Sequence, residues 1–186
     1  MHAHALRGVL AALLGISAVT AVALLAPACA DEDRNGPATG AATGTPVGAP
    51  ATFPLTIKDA AGAEVRLEKM PERVISLSPG VTEILFAIGA GDRVVGTDAF
   101  SDFPEAAAKV PKIEYSNPSS EAALALKPDL VIMSARQVQF VQPFRALGMT
   151  VFYAAEPESL DGVYSSIELL GRLTGRGVEA AQVRED

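Results

Sequence analysis

The chain has 186 residues, with 22 acidic against 15 basic side chains and a formal net charge of −7. That balance argues against a nucleic-acid partner, which needs a basic face. Cys29 is the only cysteine, so no disulfide framework is available, and the only histidines are His2 and His4.

Residues 1–28 read as a bacterial export signal. Arg7 gives a weak positive start, Val9 to Ala26 is almost unbroken apolar sequence, and Ala26-Pro27-Ala28 leads into Cys29. The competing reading is an uncleaved membrane anchor, because the run is at the short limit for a spanning helix. A lone cysteine at this place favours lipidation and cleavage at Cys29, although lipoprotein signals prefer Leu, Val or Ile where Ala26 stands. Cleavage there removes Arg7 and both histidines. The mature chain is then one unit more negative, with no imidazole and, once Cys29 is acylated, no free thiol.

Residues 29–52 are mainly Ala, Thr, Gly and Pro after an acidic opening at Asp31, Glu32 and Asp33. They can bury no core and read as a flexible tether with a reach of about 25 Å. A lipid anchor and a tether suit a domain working beside a membrane, on its extracytoplasmic side.

Residues 53–175 carry the folded pattern. Leu55–Ile57 and Val65–Leu67 flank a glycine-containing turn and predict a hairpin. Arg73–Leu77 reads as a buried strand, Val81–Ile88 as a helix stopped by Gly89 and Gly91, and Val94–Gly96 as a second short strand. Pro104–Lys109 offers a helical turn. Asn117-Pro118 opens a helix running to Leu126, and Leu130–Met133 is a third strand. Gln137–Leu147 reads as an amphipathic helix interrupted by Pro143, and Thr150–Tyr153 as a fourth strand. Ser159 caps a last helix with Leu160, Val163, Ile167 and Leu170 on one face, ended by Gly175. Strands alternating with helices predict an α/β, Rossmann-like parallel sheet with helices on both faces, preceded by the small β-hairpin. There is no internal repeat. Arg176–Asp186 has helical potential but too few apolar residues to define a packed helix.

Ligands on such sheets bind at the carboxyl ends of strands, which puts Ser78–Gly80, Thr97–Phe103 and Ser134–Gln137 on one rim. A nucleophilic Ser78 would need a base. The mature chain has no histidine, Lys112 and Lys127 qualify only by elimination, and Ser-Leu-Ser-Pro-Gly is not the G-x-S-x-G elbow. The bland reading makes Ser78 the cap of the following helix, with Pro79 at its first position. Zinc or a transition metal would want imidazole or thiolate, and the mature chain offers neither. Asp98, Asp102 and Glu105 could bind a hard cation, but three nearby carboxylates on a loop read more readily as a solvated acidic face. No cofactor is implied. Phe100, Phe103 and Tyr115 near the rim suit a large, flat, partly apolar ligand, and Arg136 an anionic one. Each has a bland counterpart, a ring pinning its loop or a solvated guanidinium.

"RVISLSPGVTEILFAIGAGDRVVGTDAFSDFP", followed by "NPSSEAALALKPDLVI", resembles the N-terminal lobe of periplasmic-type binding proteins of ABC importers, in the branch serving vitamin B12, iron–siderophores and haem. The resemblance covers Leu55 to Asp186. It implies a two-lobed receptor without enzymatic activity, whose ligand lies between lobes joined by a stiff helix. It also implies a small-molecule ligand, a corrinoid or an iron chelate, and an ABC permease that accepts a docking glutamate, here Glu121. Corrinoid-binding members are similar in carrying aromatics where Phe100 and Tyr115 stand. Their third aromatic is absent, since Ser134 stands there. The resemblance makes residues 176–186 the start of the joining helix, with the second lobe missing, so either the sequence is a fragment or the gene is truncated. The residues leave two other readings open: an extracytoplasmic hydrolase using Ser78, and a single lobe that docks to a membrane partner without transport.

Overall fold

The computed structural model describes residues 51–185. The expected export signal, Cys29 and most of the expected tether lie outside them. Among the described residues no helix is long and apolar enough to cross a membrane.

The hairpin forms as expected. Strand β1 (Leu55–Lys58) pairs antiparallel with β2 (Glu64–Leu67), which buries Val65 and Leu67 and exposes Glu64 and Arg66. Its turn is built by Asp59, whose buried carboxylate accepts the N–H groups of Ala61 and Ala63, both at 2.9 Å. Gly62 takes φ +78°, a region that costs other residues strain.

The main sheet has five parallel strands in the order β5–β4–β3–β6–β7: β3 (Val74–Leu77), β4 (Val94–Asp98), β5 (Lys112–Ile113), β6 (Leu130–Met133) and β7 (Val151–Tyr153). Between them run α1 (Pro79–Ala87), α2 (Glu105–Ala108), α3 (Ser120–Ala125) and α4 (Val138–Ala146), followed by α5 (Leu160–Thr174) and α6 (Gly177–Glu185). Strands β3 and β6 are buried at every residue, as a parallel sheet covered on both faces requires. Alternate residues feed two cores. Val74, Leu130, Ile132 and Phe152 pack with Leu85 and Ile88 of α1, Ile167, Leu170 and Leu173 of α5, and the hairpin's Val65 and Leu67. On the other face Ile75, Leu77, Val131 and Met133 pack with Ala123 of α3 and with Val141 and Phe144 of α4. Full burial of each such side chain contributes about 1.5–3 kcal/mol.

Four local expectations change. A fifth strand, β5, is two residues long, too short to show periodicity. Helix α3 is capped by Ser119, whose hydroxyl accepts the Ala122 N–H, and does not open at Asn117-Pro118. Helix α4 runs through Pro143 without interruption. Both Pro143 and Gln139 are exposed, so the carbonyl left without a donor is open to water. Finally, α6 does pack: Ala180, 1% exposed, sits against Gly171 of α5, where a Cβ would stand 2.5 Å from that of Ala180. Gly175, at φ +70°, ends α5 and turns the chain back.

Candidate functional site

From β3 the chain adds β4 and β5 on one side, then returns to add β6 and β7 on the other. The switch point, where the two directions part, lies between β3 and β6, and a crevice opens at their carboxyl ends. A cavity of about 870 Å³ occupies it. Its wall comprises Ser78, Pro79, Gly80 and Val81 at the start of α1, Tyr115, Ser134, Arg136, Ala154–Glu158 after β7, and Val163, Ser166, Leu169 and Leu170 of α5. This volume and largely apolar wall suit a small-molecule ligand.

Ser78 occupies the N-cap position of α1 in extended conformation, with Pro79 next, but its side chain makes no capping hydrogen bond. The expected cap is therefore one of position only. The local fixing comes from Thr82, whose buried Oγ1 lies 2.8 Å from Ser76 Oγ, 3.0 Å from the Ser78 carbonyl oxygen and 3.0 Å from Ser101 Oγ.

That cluster continues into the loop after β4. Asp98 is 0% exposed, which corrects the expectation that it forms a solvated face with the exposed Asp102 and Glu105. Its carboxylate accepts the Phe100 N–H at 2.8 Å and the Ser101 hydroxyl. Lys112 donates to Thr97 Oγ1 at 2.9 Å, to the Ala107 carbonyl at 3.0 Å and to the Ser101 carbonyl. A loop held from both sides presents Phe100 and Phe103 outward, 62% and 66% exposed. Phe103 thus leaves its ring in solvent. The Phe100 ring meets Tyr115 edge to face.

Of the residues selected from sequence, Ser78, Pro79, Tyr115 and Arg136 share the cavity wall. Phe100 stands beside it, joined through Tyr115. Glu121 stands apart, exposed on the first turn of α3. Its carboxyl is held below the usual glutamate range by its own backbone N–H and then by the Ser119 and Ser120 hydroxyls. The β7–α5 loop and the α5 wall were missed, although the rule of carboxyl ends, applied after Tyr153, finds the loop.

Neither lysine weighed as a base for Ser78 hydrogen-bonds to it among the described residues. Lys112 spends its donors on the three acceptors above. Lys127 follows α3, where its carbonyl and that of Leu126 accept the Arg73 side chain. Arg73 precedes β3, so Lys127 lies at the opposite end of that strand from Ser78, about 15 Å away at strand rise. Among the described residues no three His, Cys, Asp or Glu side chains are grouped to hold a metal ion.

The comparisons agree on one lineage. The chain is similar to the ABC transporter substrate-binding lipoprotein YvrC of Bacillus subtilis, itself uncharacterized, with 37% identity over 136 residues, 70% of this chain and 43% of that protein. It is similar to a vitamin B12-binding protein of Yersinia pestis, 35% identical over 140 residues, 72% of this chain and 49% of that protein. Its fold matches a periplasmic haem-binding protein from Pseudomonas aeruginosa with a TM-score of 0.59 at 25% identity, over 63% of this chain and 43% of that one. The chain thus spans under half the length of each. The model of the family described as periplasmic binding protein matches residues 74–186. The chain belongs to the periplasmic binding protein family.

Proposed function

We propose that this chain supplies the N-terminal ligand-binding lobe of a lipid-anchored receptor for an ABC importer, which captures a corrinoid or an iron chelate and delivers it to a permease. The observation that carries the reading is the cavity at the β3–β6 switch point, where Pro79, Tyr115 and Arg136 meet in one wall. Apolar surface, an aromatic rim and one guanidinium suit a large ligand with flat and polar parts. Binding is non-covalent, and the protein performs no chemistry on its cargo. Residues 176–186 begin the segment that leads toward a second lobe, which closes the open side of the cavity. Titration with hydroxocobalamin, haemin and a ferric siderophore tests the ligand: saturable binding of one, weakened about tenfold or more by Tyr115→Ala, supports it. A different metabolite retained through purification would sink the ligand assignment.

Glu121 docks onto arginines of the permease. It is exposed, ionised and outside the cavity wall, which suits a contact that does not compete with ligand. Glu121→Lys is expected to abolish capture by permease-containing vesicles with the melting temperature unchanged. Equal capture by wild type and variant would remove the assignment. Cys29 carries the lipid, and the intact mass of protein extracted from native membranes tests this directly. A mass without diacyl- or triacyl-cysteine overturns anchoring at Cys29. The hydrolase reading predicts labelling by a fluorophosphonate probe that Ser78→Ala abolishes; no labelling is expected.

A further inference from the structure

Resting on the reading of the cavity as a ligand site, we propose that Thr82 is a positioning residue for ligand binding. Its hydroxyl sets the aromatic rim at Phe100 relative to the Ser78 wall before a ligand arrives, and touches no ligand itself.

The rim cannot hold itself. Phe100 is 62% exposed, so little packing fixes its ring beyond the contact with Tyr115. Within the loop, the Phe100 N–H goes to the Asp98 carboxylate, the Ser101 N–H to the Asp98 carbonyl at 3.3 Å and the Asp102 N–H to the Phe100 carbonyl at 3.0 Å. These bonds shape the loop without fastening it to a neighbour. Ser101 does that, from two sides. Lys112 of β5 donates to its carbonyl, and its Oγ lies 3.0 Å from Thr82 Oγ1 of α1. Among the described residues this is the only hydrogen bond from α1 to residues 99–104.

A threonine inside a helix commonly returns its hydroxyl to the carbonyl four residues back, and Thr82 Oγ1 does lie 3.0 Å from the Ser78 carbonyl oxygen. That carbonyl already accepts the Thr82 N–H at 2.9 Å, so it has a partner without the hydroxyl. The Ser101 contact crosses between segments, and its polarity is fixed. Ser101 commits its own proton to the Asp98 carboxylate, so at this contact its oxygen accepts and Thr82 donates. A donor chain from Thr82 through Ser101 to a carboxylate is charge-assisted, and each bond strengthens the next. All three side chains belong to residues at most 1% exposed, so water does not compete.

Both ends of this tie belong to the site. Ser78 heads α1 and lines the cavity, and Tyr115, which the Phe100 ring meets, lines it too. Thr82 is fully buried and stands outside the wall. Lys112 already fastens the loop to β5, so what Thr82 adds is the placement of the rim against α1. Without the hydroxyl the loop stays attached but samples more positions. Only a fraction of those accept ligand, and the apparent affinity falls by that fraction.

The test compares Thr82→Val, which keeps the shape and removes the hydroxyl, with Thr82→Ser, which keeps the hydroxyl and removes a methyl. Hydrogen exchange on the ligand-free chain is read first. In Thr82→Val the Phe100, Ser101 and Asp102 amides should lose about fivefold in protection relative to the amides of β3 and β6, and in Thr82→Ser they should not. Hydroxocobalamin, haemin and ferrichrome are the binding probes, followed by stopped flow. The one that binds should associate about fivefold more slowly with Thr82→Val and leave at the wild-type rate, whereas loss of a ligand contact acts chiefly on departure. Wild-type loop protection in Thr82→Val, equal loosening in Thr82→Ser, or unchanged association overturns the proposal. If Thr82→Val does not fold, Ser101→Ala breaks the same bond from the loop side and is judged by the same outcomes. Failure of all three probes to bind wild type rejects the proposed ligand class and leaves the exchange result to decide the tie.

Discussion

Phe100 and Tyr115 meet edge to face, with ring centroids 5.4 Å apart and planes at 76°, although one ring comes from the loop after β4 and the other from the loop after β5. The contact ties two loops together at the mouth of the cavity before a ligand arrives. A double-mutant cycle on Phe100→Ala and Tyr115→Ala, read by denaturant unfolding, should give a coupling of about 0.5–1.5 kcal/mol. Additive losses would mean the rings stand together without supporting each other.

The loop bearing Phe100 depends on Asp98. Asp98→Ala removes the acceptor for the Phe100 N–H and the Ser101 hydroxyl. The Ser101 hydroxyl keeps Thr82 Oγ1 as a partner at 3.0 Å and the Phe100 N–H is only partly buried, so the expected loss is about 1–3 kcal/mol, the cost of one unsatisfied group. Hydrogen exchange should locate the loosening at residues 98–103. Unchanged protection there would show that Lys112 alone suffices to hold the loop.

Gly171→Ala should lever α6 away from α5, because the new Cβ meets Ala180 Cβ at 2.5 Å and the Arg176 carbonyl oxygen at 3.0 Å. A cost of about 1–3 kcal/mol is expected from overpacking. Ala180→Gly in the same chain should recover part of it by removing one of the two colliding methyls. If the double variant is no more stable than the single one, the Arg176 backbone is the real obstacle.

Three glutamates, Glu68, Glu121 and Glu179, set an acid-side dependence, Glu68 chiefly through its hydrogen bond from Arg66. Glu179 lies below the ordinary value of 4.5, chiefly through its hydrogen bond from Arg176, and Glu121 does so through its own N–H and the neighbouring serines. A carboxylate whose folded value is depressed adds stability that is present above the unfolded value and is lost as pH falls through the folded one. Unfolding midpoints should therefore drop below about pH 4.5, and Glu179→Gln should flatten that slope. A variant with the wild-type slope would show that Arg176 gives Glu179 no preference for its ionised form.

The fold was legible where burial writes a pattern. The β-branched runs at Val74–Leu77 and Leu130–Met133 and the spacing of Val163, Ile167 and Leu170 placed the central strands and α5 correctly. What escaped was structure that rests on few or small residues. Strand β5 has two residues, and α6 buries only Gly177 and Ala180, with Val183 partly buried and Arg184 reaching Glu168 and Tyr164 of α5, so neither gives a periodic signal. Asp98 looked like a surface acid because its neighbours Asp102 and Glu105 are; only the fold reveals that its acceptors meet two donors inside. Four residues selected for the site share one wall because they follow or flank strand ends, which sequence can locate. The α5 residues of the wall lie within a helix and not at a strand end, and no local motif marks them.

The two margins of the main sheet are both cut short. Strand β5 offers two residues, and β7 three, with the Tyr153 carbonyl already taken by the Ala60 N–H of the hairpin turn at 2.8 Å. Arg145 holds that turn in place through Asp59, at 2.8 Å. A neighbouring molecule therefore finds little free backbone on which to lay a strand. At high local density, as when many copies crowd one surface, the lobes are guarded against polymerising edge to edge.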